Sequence, residues 1–387
     1  MAEPVIQGWC PGALRPMPSG DGWIIRVRPP GGRLTPHQAR EIARLARAHG
    51  NGVIDLSSRA NIHLRGVTEN SYAPLIEGLD ALKLIDENPE AEERRNIVLS
   101  PFWSPDDGSV ELAAALAKSL TAPNAPRLPA KFGFAIDCGP QRFLTNVSAD
   151  IRLERSADGG LICRAKGAAK AARVSAATAV STMLALAEWF VQSGGIAGER
   201  GRMAAHLARG AALPDIFNEV PAPVVTAYSP EPGPVAQGVL VGFEFGQVPA
   251  ELLEALSGLG ALRVTPWRML LIEGISAMPD LPGLITRPRD PMLRVIACTG
   301  APGCLQAAQP TRALARTLAP HLPDGTTLHV SGCSKGCAHA RAANFTLTAH
   351  AKGFDLIRDG HARDLPLRSG MTAEYLADHP AILREAL

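Results

Sequence analysis

Between about Gly22 and Val67, hydrophobic and polar positions alternate in a strand–helix–strand–strand series. Trp23-Ile24-Ile25-Arg26-Val27-Arg28 reads as a strand. Thr35-Pro36-His37-Gln38 has the chemistry of a helix start: Thr35 as cap, Pro36 at the first helical position, Gln38 closing a capping box. Ala39, Ile42, Ala43 and Ala46 then fall on one helical face, and Gly50 and Gly52 end it. Gly52-Val53-Ile54-Asp55-Leu56 and Asn61-Ile62-His63-Leu64-Arg65 read as two strands joined at Ser57-Ser58-Arg59. The plan recurs between about Gly238 and Ile275. Val239–Glu244 is the strand, and Val248-Pro249 opens a helix carrying Leu252, Leu253 and Leu256. Leu262-Arg263-Val264 and Met269-Leu270-Leu271-Ile272 follow, joined at Thr265-Pro266-Trp267-Arg268. Leu64-Arg65-Gly66-Val67 aligns with Ile272-Glu273-Gly274-Ile275, so the chain carries an internal duplication. Each half covers one sheet face only and needs its twin.

A longer block follows each half, from about Arg94 to Gly201 and from about Arg294 to Leu387. Each opens with an arginine before an apolar strand, Arg95-Asn96-Ile97-Val98 and Arg294-Val295-Ile296-Ala297. The boundary between the repeats falls near the proline- and glycine-rich stretch Pro221–Gly238. The most apolar long run, Val174 to Val191, is interrupted by Ser175, Thr178, Ser181, Thr182 and Glu188. It reads as a helix of a soluble protein rather than a membrane span.

Composition narrows the class. The chain has 387 residues, 46% hydrophobic and 20% charged, which suits two or three globular domains. A formal net charge of +2 argues against a general nucleic-acid binder. Met1-Ala2-Glu3-Pro4 has no basic region ahead of an apolar run, so no signal peptide is read there and a cytoplasmic location is expected. Seven cysteines, an odd number with four crowded late, do not read as a disulfide framework.

Those four carry the chemistry. Cys298 and Cys304 stand five residues apart around Thr-Gly-Ala-Pro-Gly, and Cys333 and Cys337 three apart around Ser-Lys-Gly. Each pair follows an apolar strand. The small intervening residues let backbone wrap a cubane and turn amides toward its sulfides. Four soft thiolates fit a [4Fe–4S] centre. Zinc is the competing reading, but zinc knuckles place their cysteines two to four apart. Cys10, Cys138 and Cys163 read as small hydrophobes, although Cys10 and Cys138 sit beside glycines and could face a site.

The spacing Cys-x5-Cys with Cys-x3-Cys resembles the cluster motif of the sirohaem-dependent sulfite and nitrite reductases. Ser57-Ser58-Arg59-Ala60-Asn61-Ile62-His63-Leu64, Arg94-Arg95-Asn96-Ile97 and Leu128-Pro129-Ala130-Lys131-Phe132 resemble that family's anion-binding segments. The resemblance implies an α+β, duplicated nitrite/sulfite reductase-like architecture, with paired ferredoxin-like half-domains and two larger α/β domains around a cluster. The half-domains would span residues 1–80 and 232–280. The larger domains would span 90–225, without cluster cysteines, and 285–387, with them. It also implies cluster ligation by Cys298, Cys304, Cys333 and Cys337, with Cys337 bridging to a sirohaem iron in the reductases. One departure stands out: the reductases carry a second lysine where this chain has Gly133. Losing a cation from a small-oxyanion pocket argues against sulfite or nitrite. The opening Gly8–Gly22, with Leu128–Phe134, looks instead like the precorrin-3B synthases of aerobic cobalamin biosynthesis, a branch of the same superfamily.

That branch implies a [4Fe–4S] cluster, a mononuclear non-haem iron and O2, without sirohaem. The implied substrate is precorrin-3A, a tetrapyrrole rimmed with carboxylates, and the implied reaction is hydroxylation at meso position 20 with γ-lactone formation. Arg59, Arg95 and Lys131 are then the first choices for substrate binding, with Arg65, Arg94 and Arg268 behind them. His63, His329 and His339 are candidates for the mononuclear iron, and no compact two-histidine, one-carboxylate spacing selects among them. No glycine-rich dinucleotide fingerprint follows a strand, so electrons would come from NADH through a partner reductase. Neither nucleic acid nor membrane is an expected partner. The competing readings are a short sirohaem-dependent sulfite or nitrite reductase, and a non-catalytic iron–sulfur or zinc scaffold.

Overall fold

The computed structural model describes residues 10–223, 228 and 230–385. Met1–Pro4, the Gly8-Trp9 start of the opening motif, and part of the stretch 221–238 lie outside the described residues.

The first strand–helix–strand–strand unit forms as its pattern predicts. The helix Pro36–His49 starts at Thr35, whose hydroxyl accepts the Gln38 amide at 3.1 Å while the Gln38 side chain accepts the Thr35 amide at 3.0 Å. Its buried face is Ala39, Ile42, Ala43, Leu45 and Ala46. It packs against the strands Val53–Leu56 and Ile62–Val67, whose inward residues Ile54, Leu56, Ile62 and Leu64 are buried. Each fully buried aliphatic side chain contributes about 1.5–3 kcal/mol relative to exposure. The duplication extends to backbone detail. Ala60 and Arg268 occupy matching places in the two hairpin turns, and both are left-handed, with φ 54° and 62°.

One sequence expectation needs correction. Val248 and Pro249 do not open the second helix, which begins at Ala250. They lie in the strand Gln247–Pro249, which pairs antiparallel with Val53–Leu56 of the first unit. Reciprocally, Arg33–Leu34 of the first unit pairs with Leu262–Val264 of the second. Each unit therefore completes the other's five-stranded sheet, and one continuous apolar core fills the space between them.

The two longer blocks share a topology. In the first, the strands Ile97–Leu99, Phe134–Asp137 and Ile151–Arg155 run parallel, and Leu161–Ala165 and Lys170–Val174 continue antiparallel. In the second, Val295–Ala297, Leu328–Ser331 and Ala343–His350 run parallel, followed by antiparallel Gly353–Gly360 and Arg368–Met371. The helix Ala176–Gln192 buries Ala179, Met183, Leu186, Ala187 and Phe190 against the first block's sheet and exposes its serines and threonines. Among the described residues, no helix is long and apolar enough to cross a membrane. Cys138 and Cys163 are fully buried, and burial pushes the Cys138 thiol up to about 12.

Candidate active site

The parallel pairing of Val295–Ala297 with Leu328–Ser331 brings Cys298 and Cys333 out at one edge of the second block's sheet. The loop after Cys298 turns at Gly300, φ 69°, where a Cβ would meet the Thr311 hydroxyl at 2.7 Å. Thr311 donates to the Cys298 carbonyl at 2.7 Å, and the Cys304 amide donates to the Gly300 carbonyl at 2.8 Å. The Gly332 amide points at Cys298 Sγ from 3.1 Å, and a Cβ on Gly332 would lie 2.6 Å from Ala307 Cβ. All four thiols are unbridged. Burial comes first among the causes that raise the Cys333 thiol and push Cys337 up to about 11, and the other cysteines of the set add to it in both. Cys333 and Cys337 therefore both feel the charge of Cys298 and Cys304.

This cradle fits a cubane. It offers four unbridged thiols at one edge of the sheet, an amide aimed at sulfur, and glycine backbone where a side chain would intrude. Zinc draws four ligands onto one atom. The five-residue gap between Cys298 and Cys304 is wider than a zinc knuckle uses.

A polar trough leads away from the cradle over the outer face of the first unit's sheet. At the cradle end, the Ser19 hydroxyl and the Gly20 amide both donate to the Gly303 carbonyl, at 2.8 Å and 3.1 Å. Arg65 is buried there between Asp21, at 2.8 Å, and Asp55, at 3.2 Å, so its charge serves the fold. Arg268 donates to the Ala338 carbonyl at 2.8 Å and lies near Cys337.

Further along stand Arg26, Arg28, Arg59, His63 and Cys10. Burial, then the neighbouring Arg28, pushes Arg26 down to about 10, while a hydrogen bond with Cys10 acts the other way. Arg59 is lowered by burial first, with Arg202 and Arg28 adding to it. Arg59 donates to the Lys131 backbone carbonyl at 3.3 Å, so those two expected residues meet through the main chain, and Lys131 itself is exposed. Arg95 instead makes a two-pronged pair with Asp86, at 2.7 and 2.9 Å, and donates to the Arg28 carbonyl at 2.9 Å. Arg94 is half-exposed at the end of the helix Pro89–Arg94. At Gly133, a Cβ would stand 3.0 Å from Asn96 Nδ2 and 3.1 Å from the Asn96 carbonyl, so a side chain at the position that bears the reductases' second lysine would crowd Asn96.

The duplication supplies an internal control. In the second unit, Trp267 occupies the place of Arg59 and Leu271 that of His63, and Leu240 opposite Leu271 corresponds to Arg26 opposite His63. Leu240 and Leu271 pack with Phe102 and Met269, against which Phe143, Tyr228 and Trp267 are laid. Phe102 and Trp267 stack at 5.7 Å. Even the flanking ion pair is reversed: Asp55–Arg65 in one copy, Arg263–Glu273 in the other. One copy presents a basic face, and the corresponding face of its twin is apolar. Arg26, Arg28 and Cys10 were not singled out by sequence reasoning as trough residues. Period-2 placement of Arg26 and Arg28 beside His63 on one sheet face was the available signal.

The three histidine candidates separate. His63 Nε2 accepts Arg26 Nε at 2.9 Å, so that nitrogen is already engaged. Burial, then Arg26 and Arg65, lowers its pKa well below 6.5. The folded state therefore refuses a proton that the unfolded chain accepts below about pH 6.5. His63's contribution to stability is complete above that pH and declines as pH falls through it. Tm between pH 7 and pH 5 should fall less steeply in His63→Asn, which cannot titrate, than in the parent; parallel slopes would contradict this. His329 is fully buried and His339 half-buried, with ring centroids 5.6 Å apart.

A family model described as the nitrite/sulfite reductase ferredoxin-like half domain matches residues 15–82. A protein named precorrin-3B synthase, from Sinorhizobium sp, is 29% identical over 93% of this chain and 84% of its own length. The solved structure of the Mycobacterium tuberculosis NirA protein superposes with a TM-score of 0.67 and 20% identity, covering 94% of this chain and 80% of that one. The chain has the nitrite/sulfite reductase-like fold, and the resemblance drawn from its motifs stands.

Proposed function

We propose that this chain is a precorrin-3B synthase-like monooxygenase, which uses O2 to hydroxylate precorrin-3A at meso position 20 with closure of a γ-lactone. The observation that carries the reading is the group of buried, mutually interacting arginines on the first unit's sheet, Arg26, Arg28 and Arg59, in a fold whose second block brings Cys298 and Cys333 to one sheet edge. A tetrapyrrole with an acetate and propionate rim matches that group of arginines in charge. Guanidinium groups bind carboxylates through paired, charge-assisted hydrogen bonds. The reading divides the chain at 1–80, 90–225, 232–280 and 285–387.

In this reading Cys298, Cys304, Cys333 and Cys337 hold a [4Fe–4S] cluster, which supplies single electrons passed on from NADH by a partner reductase. Arg26 and Arg59 orient the substrate carboxylates. Neither has a carboxylate hydrogen-bonded to its guanidinium in the structure, whereas Arg28 and Arg95 are matched by Glu92 and Asp86. Arg95 joins them if Asp86 yields to a substrate carboxylate. His63 holds Arg26 by accepting its Nε proton.

Arg59→Ala should weaken binding of a carboxylated tetrapyrrole by about 10–100-fold, the equivalent of about 1.5–3 kcal/mol for a hydrogen bond to a charged group. Iron and sulfide content should not change. Equal affinity in parent and variant would remove Arg59 from the site. The competing reading, a sirohaem-dependent reductase, has the NirA-like fold in its favour. The missing second lysine at Gly133, where a side chain would crowd Asn96, weighs against it. Absorption spectroscopy separates the two, since sirohaem adds a strong red-region band to the broad cluster shoulder. Turnover of precorrin-3A under O2 tests the leading reading directly.

A further inference from the structure

His329 presents an anomaly that the cysteine cradle and the trough do not absorb. It lies in the strand Leu328–Ser331, is 0% exposed, and has no hydrogen-bond partner at either Nδ1 or Nε2. Its strand neighbours are satisfied: Thr346 and Thr348 donate to the carbonyls of Gly360 and Ala362, at 2.9 Å each. A buried imidazole with both nitrogens idle is costly, and such groups in native proteins usually mark a missing water, ion or ligand. His329 Cε1 lies 3.7 Å from where a Cβ on Gly336 would stand, so the ring sits beneath the Cys333–Cys337 loop.

His339 follows two residues after that loop, and its ring packs edge-on against that of His329. Its ring centroid is 5.6 Å from that of His329. One of its nitrogens is hydrogen-bonded to the Ala342 backbone. That arrangement is typical of metal-binding histidines, which fix their tautomer by donating one N–H to a carbonyl and turn the other nitrogen to the metal. His339 also lines a cavity of about 940 Å³ together with Trp267, Arg268 and Arg341. The pair is thus reachable from solvent on the His339 side and buried on the His329 side.

We infer that His329 and His339 together form a two-imidazole site for a divalent first-row transition metal, distinct from the four-cysteine cradle. Imidazole nitrogen suits iron, nickel, copper and zinc in this series. Among the described residues no third His, Cys, Asp or Glu joins the pair, so water or an exogenous ligand from the cavity completes the coordination. The inference deepens the proposed function, because an oxygen-activating iron needs ligands that the cysteines do not provide. It also takes His63 out of the candidate set, since Arg26 occupies its Nε2.

The test uses the full chain with its cluster reconstituted anaerobically, and Co2+ as the probe, without substrate. The parent should take up about one Co2+ per chain beyond the cluster iron, with visible d–d bands of a nitrogen-ligated ion. His339→Ala and His329→Ala should each weaken that uptake at least tenfold while keeping the cluster absorption. His350→Ala, which removes a histidine paired with Asp355 elsewhere, should bind like the parent. If His329→Ala fails to fold, His339→Ala decides alone, because its ring is half-exposed on a loop. Parent-like Co2+ binding in His339→Ala, or no uptake by the parent, would overturn the site. Altered cluster potential with unchanged Co2+ binding would overturn it too, and would make His329 a donor to the cluster. None of these readouts depends on tetrapyrrole binding, so the metal site and the proposed reaction stand or fall separately.

Discussion

Cys333→Ala is expected to yield a protein without cluster iron or sulfide and without turnover. Cys333 leaves the end of the strand Leu328–Ser331 beside Cys298, and Ser331 donates to its carbonyl at 2.8 Å, which fixes the exit of the loop. Removing a partner that only supports a ligand costs metal sites about 10–100-fold in affinity. Removing the thiolate itself should exceed that range. Without the cluster, the loops 298–304 and 333–337 lose what ties them together, because ligand binding and local folding are coupled at such centres. The Cys10→Ala variant serves as a control that keeps iron and sulfide. Iron and sulfide analysis is the measurement, and a full complement in Cys333→Ala would refute the ligand set.

Glu92→Ala should be the most destabilising single change outside the cysteines. Glu92 is 3% exposed and receives Arg28, also buried, together with the backbone amides of Ala13, at 2.6 Å, and Leu14, at 3.1 Å. Arg28 Nε has no other partner. Truncating one member of a buried pair leaves the other charge uncompensated, a loss of about 3–5 kcal/mol. Thermal unfolding should show it as a fall in Tm on the order of 5–10 °C. Glu92→Gln, which keeps the shape and one acceptor oxygen but no charge, should recover part of the loss. An unchanged Tm in Glu92→Ala would show that the segment around Ala13 relaxes and lets water reach Arg28.

Much of the framework was legible because it is written in long periodic runs. The Thr35–Gln38 capping box, the helical spacing of Ala39 to Ala46 and the paired turns at Ser57–Ala60 and Thr265–Arg268 are local signals, and the chain obeys them. The exchanged strands Arg33–Leu34 and Gln247–Pro249 were not legible. Two or three residues carry no period, and their partners lie in the other repeat. The cysteine spacing pointed to a cradle because ligands in short loops are near in sequence. The trough was only partly legible. Arg59 and Lys131 stand in turns, where a polar residue invites attention. Arg26 and Arg28 look like ordinary outward residues of a strand until the neighbouring block covers them. Likewise nothing in Leu328-His329-Val330-Ser331 distinguishes a histidine facing solvent from one sealed under a loop. Only the packing of Gly336 above it does.

The reciprocal loan of edge strands has a historical consequence. Two identical ancestral subunits, each lending an edge to the other, would have formed an obligate pair with two equal troughs and a two-fold axis between them. Symmetry in such a pair forbids improving one trough without altering the other. Fusion into one chain removes that restriction: Arg59 and Trp267, or His63 and Leu271, became separate genetic positions. The second position could then become apolar, with Phe102, Tyr228 and Trp267 packed ring on ring, while the first kept its arginines.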